Sequence, residues 1–270
     1  MAPVEHSTSK PLVSSTDASG VRISATARLV DVAADSWVRS SYPLLASACE
    51  RDLAIGAADA TLAESLAPAT ACRRVADGVM CALNGSATCA ARDPGSDLHS
   101  IIDGGPCWRA FRSATAVALV ALEAELEIST LDGSQWRSAE QFFASADGAL
   151  SAEPRTNEMV LAARLSPVAA GGYQRLAPLE VETAESGVCL AAVRRADGDV
   201  RLVLGGVCPR PYRVYNSVEE EAMAGGLDEE AIAGLADRAL LDAEADSRST
   251  ARVDAAAELL RVAIREIASS

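Results

Sequence analysis

Four of the seven cysteines in this 270-residue chain, Cys72, Cys81, Cys89 and Cys107, fall within one short stretch, CRRVADGVMCALNGSATCAARDPGSDLHSIIDGGPC. Four thiolates from one segment suit either a tetrahedral zinc or a four-iron four-sulfur cluster, because each takes four soft sulfur ligands. A third reading, thiols simply buried as small hydrophobes, stays open beside these two. His99 stands in the same stretch, where it reads either as a second-shell hydrogen-bond donor to a ligand sulfur or as an ordinary surface loop residue. His6 is the only other histidine. A histidine-rich metal site is therefore excluded, and a Ser/His/Asp triad would rest on His99 with no nucleophile-elbow motif beside it.

The elements around this stretch must position it. Within it, Asn84-Gly85, Pro94-Gly95 and Gly104-Gly105-Pro106 mark a turn about every ten residues. So much turn chemistry buries little apolar surface, and a bound metal would supply the missing order. Ahead of it, residues 1–20 are rich in Ser, Thr and Pro without periodicity and read as a disordered leader. A helix carrying Leu29, Val30 and Val32 would follow, capped by Ser24 or Thr26. Further helices fit Trp37 to Cys49 and Ala58 to Leu66.

After the cysteines, Ser113 to Glu125 reads as a buried helix running into the strand LEIST, and Gln135 to Phe143 as a short helix anchored by Trp136, Phe142 and Phe143. Strands are expected at Met159 to Leu165, Val188 to Arg194 and Val200 to Val207, the last two joined by the turn Asp197-Gly198-Asp199. Two helices close the chain, Asp228 to Ala243 and Thr250 to Ile267. The second has an apolar stripe of Val253, Ala256, Leu260, Ile264 and Ile267 opposite Arg252, Asp254, Arg261 and Arg265. The fold class is α+β: a mostly helical part with a cysteine-rich metal loop, then a three-stranded antiparallel sheet packed by helices. Cys49, Cys189 and Cys208 read as core residues, as do Trp37, Trp108 and Trp136, with Trp108 placed to shield the metal site. The run Glu219-Glu220-Glu221 reads as a solvated face.

Composition bounds the function. With 49% hydrophobic residues and a net charge of −14, the chain can bury a real core but offers no basic patch for nucleic acid. Lys10 is the only lysine. The first thirty residues contain no apolar signal region, and the longest apolar stretch, ending at Leu122, is far shorter than the roughly 20 residues that span a bilayer. A cytoplasmic protein is expected, in which cysteines serve as core thiols and metal ligands rather than disulfides.

The string GGYQRLAP, followed by GVCLAAVRRADGDVRLVLGGVCPRPYRV and then an acidic residue, resembles the closing domain of the FAD-binding, or medium, subunit of molybdenum hydroxylases. That family includes carbon monoxide dehydrogenase, xanthine dehydrogenase and hydroxybenzoyl-CoA reductase. SATAVALVALEAELEI resembles the helix and strand ahead of that domain, and VRISATARLVDVAADSWVRSSYPLLASACE the helical run within the flavin domain. The resemblance covers residues 21–270 and is most specific over 172–214. It implies a remnant of the flavin-binding domain over 21–155, with the metal loop at 72–107, and a sheet-plus-helices domain over 156–270. In the hydroxybenzoyl-CoA reductase and periplasmic aldehyde oxidoreductase branch, an inserted loop of similar spacing holds a 4Fe–4S cluster. The resemblance thus implies Cys72, Cys81, Cys89 and Cys107 as its ligands.

The family's two glycine-rich FAD loops, of the types AGGTDL and TIGGNL, have no counterpart here. The first would lie in an amino-terminal lobe of which the leader is the only trace. The second corresponds roughly to IGAADATLAESL, where Gly56 stands alone and Asp59 and Glu64 add negative charge. An expected Ser-Asp pair reads Ser113-Ala114, and Arg175 replaces a usual lysine. Tyr173, Arg175, Gly205 and Gly206 would border a vestigial flavin cleft, although Gly205 and Gly206 also read as a strand end. The leading expectation is an oxidoreductase-type electron-transfer or accessory protein with a cluster and without ordinary FAD binding, partnered by a molybdopterin-type catalytic subunit or by itself. The alternatives are a stand-alone biosynthetic enzyme with a small organic ligand in the vacated cleft, a scaffold protein whose cluster only stabilises the fold, and a genuine FAD-binding subunit.

Overall fold

A computed structural model describes residues 13–17, 20–54, 59–66, 89, 91, 99–102, 108–143, 159–167, 173–177, 187–195, 198–244 and 250–269. The first helix, Leu29–Ala34 (α1), starts later than Ser24 or Thr26 would place it, and Arg28 at its N-cap makes no side-chain cap. The hydroxyls of Ser24 and Thr26 bond each other instead, at 2.9 Å. The single helix expected over Trp37 to Cys49 is two, Ser36–Ser41 (α2) and Pro43–Ala54 (α3). The break falls at Tyr42, with φ −133° and ψ 58°, because the ring of Pro43 disfavours the helical conformation in the residue before it. Leu62–Leu66 forms α4. Ala114–Ala121 forms α5, and all eight of its residues are buried.

Strands Val13–Asp17 (β1) and Gly20–Ser24 (β2) occupy part of the expected leader. They join Glu125–Thr130 (β3), Gly133–Ser138 (β4) and Met159–Leu165 (β5) in a five-stranded antiparallel sheet of order β1-β2-β5-β3-β4. β4 corrects the helix expected over Gln135 to Phe143: only Ala139–Phe143 (α6) is helical. The turn at Leu131-Asp132 folds β4 back on β3, pairing Thr130 with Gly133 and Glu125 with Ser138, and Asp132-Gly133 is the hairpin signal that marks it. β5 has the expected bounds but pairs with β2 and β3, so the five-stranded sheet draws on both sides of the boundary expected at 155.

The second antiparallel sheet has four strands rather than three: Tyr173–Ala177 (β6), Cys189–Arg194 (β7), Val200–Gly205 (β8) and Tyr212–Arg213 (β9), in that order. Three helices follow: Asn216–Ala224 (α7), Glu229–Ala239 (α8) and Thr250–Ala268 (α9). The Asp228 carboxylate caps α8 by accepting from Ala231 N at 2.9 Å. The α9 stripe is buried as expected at Ala256, Leu260, Ile264 and Ile267, but Arg252, expected on the solvent side, is buried too. The antiparallel α+β plan therefore holds with more strands than the sequence suggests.

One core joins Val21, Ile23, Leu126, Ile128 and Leu165 of the five-stranded sheet through α1, α3 and α5 to Cys189, Ala191, Val193 and Val203 of the second sheet. A second core packs the opposite face of that sheet, including Leu190, Leu202 and Leu204, on α7, α8 and α9. Cys49, Cys189 and Cys208 are all buried, as expected. Trp37 packs edge-on against Tyr42, with ring centroids 5.2 Å apart. No helix among the described residues is long and apolar enough to cross a membrane.

Candidate functional site

The carboxy-terminal end of the cysteine segment is anchored by backbone hydrogen bonds. His99 and Arg109 form an antiparallel bridge, and Ser100 N–H donates to Trp108 O at 2.8 Å. Ile101 and Ile102 N–H both donate to Val207 O, at 2.8 and 2.9 Å, just beyond β8, while Glu244 N–H donates to Ile101 O at 2.7 Å. Phe111 N–H donates to Cys208 O at 2.9 Å, and Gly206 N–H to Phe111 O at 2.8 Å. The chain on either side of residues 103–107 is thus seated on the end of β8.

The His99 ring lies nearly parallel to Trp108, at 5.8 Å and 12°. Its Nδ1 is buried with no hydrogen-bond partner among the described residues, an unusual cost for a polar ring nitrogen. Cys89 is half-buried. Cys72, Cys81 and Cys107 lie outside the described residues, although Cys107 is the covalent neighbour of the Trp108 that stacks on His99. Among the described residues no group of three or more His, Cys, Asp or Glu side chains could hold a metal.

Of the residues expected around a flavin cleft, Tyr173 and Arg175 sit on β6, opposite Arg194 and Ala192 of β7. Gly205 closes β8 opposite Cys189. A Cβ there would come within 2.8 Å of both Cys189 Sγ and Val117 Cγ2, so glycine lets β8 lie close on α5. Gly206 has φ +80°, and a Cβ on it would overlap the Gly187 carbonyl oxygen. The structure brings Gly205 and Gly206 to the base of the cysteine segment, with Tyr173 and Arg175 two strands away in the same sheet.

Of the stretch matched to the second glycine loop, Gly56 lies outside the described residues, and the amides of Thr61 to Glu64 are bonded within the chain. Thr61 N–H donates to Glu64 Oε2 at 2.8 Å and Glu64 N–H to Thr61 Oγ1 at 3.4 Å, a reciprocal capping box on α4. Leu62 N–H donates to Ala27 O at 2.8 Å and Ala63 N–H to Ala25 O at 2.9 Å. Asp59 is exposed and pairs with Arg28.

Two buried carboxylates escaped the sequence reading. Asp52, on α3, accepts from Ala114 N at 2.8 Å, Thr115 N at 3.0 Å and Ser113 Oγ at 3.1 Å, filling the amino terminus of α5. Burial raises its pKa above the usual carboxylate range, while these donors pull the other way. The thiol of Cys49, one turn before it, is pushed up to about 12 by burial, which makes it unreactive. Nothing local marked Asp52, whose partners lie some sixty residues on.

Of the acidic run expected to be solvated, Glu220 and Glu221 are exposed, but Glu219 is not. It is 4% exposed, accepts Leu202 N–H at 2.9 Å and takes the Arg213 guanidinium on both oxygens. Burial raises its pKa, again against the pull of its donors. The Thr61-x-x-Glu64 box, by contrast, carries a spacing that sequence alone could have flagged.

No family model matches the chain. It is 31% identical over 212 residues to the aldehyde oxidoreductase FAD-binding subunit PaoB of Escherichia coli K12, a match that spans 74% of this chain and 65% of that relative, less than two thirds of its length. Among solved structures, the fold is similar to carbon monoxide dehydrogenase from Hydrogenophaga pseudoflava, with TM-score 0.63 and 20% identity over 93% of this chain and 75% of that one. It is also similar to quinoline 2-oxidoreductase from Pseudomonas putida 86, with TM-score 0.56 and 18% identity over 94% and 77%. In sequence the chain is similar to the FAD-binding subunit of an aldehyde oxidoreductase, and in fold to chains of carbon monoxide dehydrogenase and quinoline 2-oxidoreductase.

Proposed function

We propose that this chain is a cytoplasmic electron-transfer or accessory subunit of an oxidoreductase, carrying a 4Fe–4S cluster on Cys72, Cys81, Cys89 and Cys107 and no longer binding FAD in the ordinary way. Its kinship with an aldehyde oxidoreductase subunit supports the oxidoreductase setting and a molybdopterin-type catalytic subunit as partner. A bound cluster would supply one-electron transfer. Four thiolates are the donor set it needs, and the stacked His99 beside the Cys107 neighbour offers a buried ring nitrogen to that site.

FAD fits less well, and one observation carries this part of the reading. Consecutive amides can cradle a pyrophosphate only if they are free to point at it. The four from Thr61 to Glu64 are each bonded within the chain, one of them to the Glu64 carboxylate. Gly205 and Gly206 are accounted for by close packing, which leaves Tyr173 and Arg175 as the remaining border of a vestigial cleft.

The test is anaerobic purification of the full chain, followed by an ultraviolet–visible spectrum and analysis for iron, sulfide, zinc and flavin. Broad absorption near 400 nm with about four irons and four sulfides per chain is expected, with no flavin retained and none taken up from added FAD. Changing Cys81 to Ser should abolish the cluster. A folded protein containing zinc or no metal would overturn the cluster, and a flavin spectrum would overturn the loss of FAD.

A further inference from the structure

Helix α5 ends in a way that local chemistry disfavours. Glu123 N–H donates to Val120 O at 3.1 Å and Ala124 N–H to Leu119 O at 2.9 Å, the paired bonds of a Schellman motif, whose left-handed position usually holds glycine. Here it holds Glu123, with φ +53°, the only non-glycine residue at positive φ among the described residues. A side chain there is strained, and a carboxylate at a helix carboxy terminus opposes the dipole. Two local penalties at one residue call for a compensating interaction.

That interaction is ionic. The Glu123 carboxylate lies between Arg195, just past β7, and Arg201 of β8. Arg201 continues to Glu140 of α6 at 3.2 Å and faces Asp199 at 3.7 Å. Glu140 reaches Arg213 of β9 at 3.5 Å, and Arg213 closes on buried Glu219 of α7 at 2.7 Å. Arginines and carboxylates thus alternate from the α5–β3 turn to α7. Arg201, at 13% side-chain exposure, sits at the least solvated point between the two glutamates. Glu123 and Glu140 are also joined through the backbone, since Ala139 N–H donates to Ala124 O at 2.7 Å.

We propose that Glu123 and Glu140 form an ionic latch that locks the α5–β3 turn and α6 onto the four-stranded sheet, and that ionic strength sets how often it opens. Its role is mechanical and is independent of which cofactor the cysteine segment carries. Arg201 is largely shielded, but the Glu123 and Glu140 side chains are 34% and 43% exposed, so the carboxylate side of the network stays open to salt. At 1 M the screening length falls to about 3 Å. Opening frees the Ala139 amide from Ala124 and loosens α6.

The test is amide hydrogen exchange of the full chain at low salt and in 1 M sodium chloride, read over residues 123–143 and, as an internal control, over α9. In the wild type, salt should speed exchange of the 123–143 amides about tenfold and leave α9 unchanged. Glu140→Gln should reach that faster rate at low salt and lose most of the further response to salt. Glu140→Asp, a milder change that keeps the charge, should retain a salt response and guards against a Gln variant that fails to fold. Exchange over 123–143 that is indifferent to salt in the wild type, or a full salt response persisting in Glu140→Gln, would overturn the latch. A salt effect of equal size in α9 would overturn it too, because it would report global rather than local opening.

Discussion

The two sheets of this molecule are both antiparallel, yet they solve burial in opposite ways. The four-stranded sheet is covered on both faces: β7 is buried at five consecutive positions from Cys189 to Val193, with Cys189, Ala191 and Val193 in the core around α5 and Leu190 and Ala192 against the closing helices. The five-stranded sheet is covered on one. Leu126 and Ile128 of β3 face the core, whereas Glu125 and Glu127, both partly exposed, lie on the opposite face with Arg22, Arg164 and Trp136. A strand buried on both sides has no water to absorb a misfit, so equivalent changes should cost more in the four-stranded sheet.

Two glycines with positive φ make the sharpest trial of that contrast. Gly206 follows β8, and an added Cβ would overlap the backbone carbonyl of Gly187. Gly133 opens β4 with φ +129°, and a Cβ there meets nothing within 4 Å. Both alanine variants carry conformational strain, but only Gly206→Ala adds a clash with unyielding backbone. Gly206→Ala should cost about 4 kcal/mol or prevent folding, and Gly133→Ala about 1–2 kcal/mol, measured by urea unfolding. Equal costs would mean that backbone conformation, not covering, separates the two sheets.

The next effect comes from carboxylates. Asp52 satisfies three donors at the buried start of α5, the helix that the four-stranded sheet packs on. Asp52→Ala strands those donors and should cost about 3 kcal/mol in urea unfolding. Surface substitutions on β4 should stay within about 0.5 kcal/mol in the same assay. A cost for Asp52→Ala as small as that would show that water reaches the start of α5.

Charge also distinguishes the sheets by sign. Glu219 supports β8, and burial raises its pKa. Its contribution to stability is fully present below the unfolded-state value and is lost as pH rises through the folded one. Glu127, on the outer face, has its pKa lowered mainly by its hydrogen bond from Arg22, so its contribution is present at neutral pH and lost as pH falls through the folded value. Stability curves from pH 3 to 7 for Glu219→Gln and Glu127→Gln should therefore diverge from the wild type in opposite directions. The Glu219 variant should lose most at acid pH, and the Glu127 variant most near neutrality, by no more than about 1 kcal/mol for a pair whose arginine is half exposed. Parallel curves would contradict the assignment.

How much of this was legible follows the same division. β5, β7, β8 and α9 were found at or near their true bounds, because local hydrophobic patterning survives wherever a segment packs on one extensive surface. β4 was read as helix because Trp136, Phe142 and Phe143 dominated the pattern, although Asp132-Gly133 announced a hairpin. Sheet membership was not readable. β5 lies beside β2 and β3, a pairing chosen by surfaces about thirty residues or more apart in sequence. The same limit applied at the site: cysteine identity and spacing suggested a metal loop, and the Thr61–Glu64 box was available as a motif, but the burial of Asp52 and Glu219 depends on partners that no local pattern encodes.

The smallest effect is also the most pointed trial of the open face. Trp136 is the largest side chain on that face, with the Arg164 guanidinium 4.3 Å from its ring centroid and Glu127 as its cross-strand partner. Arg164 is meanwhile held by Glu125 at 3.0 Å. If solvent bathes this face, Trp136→Ala removes one partly exposed cation–π contact and part of a cross-strand pair, and should cost only about 0.5–1 kcal/mol in urea unfolding. A buried tryptophan would instead cost about 3–5 kcal/mol. A loss of that size, together with a blue-shifted Trp136 emission in the folded protein, would show that another element or a partner covers the face. The contrast between the two sheets would then describe this chain alone rather than the assembly in which it works.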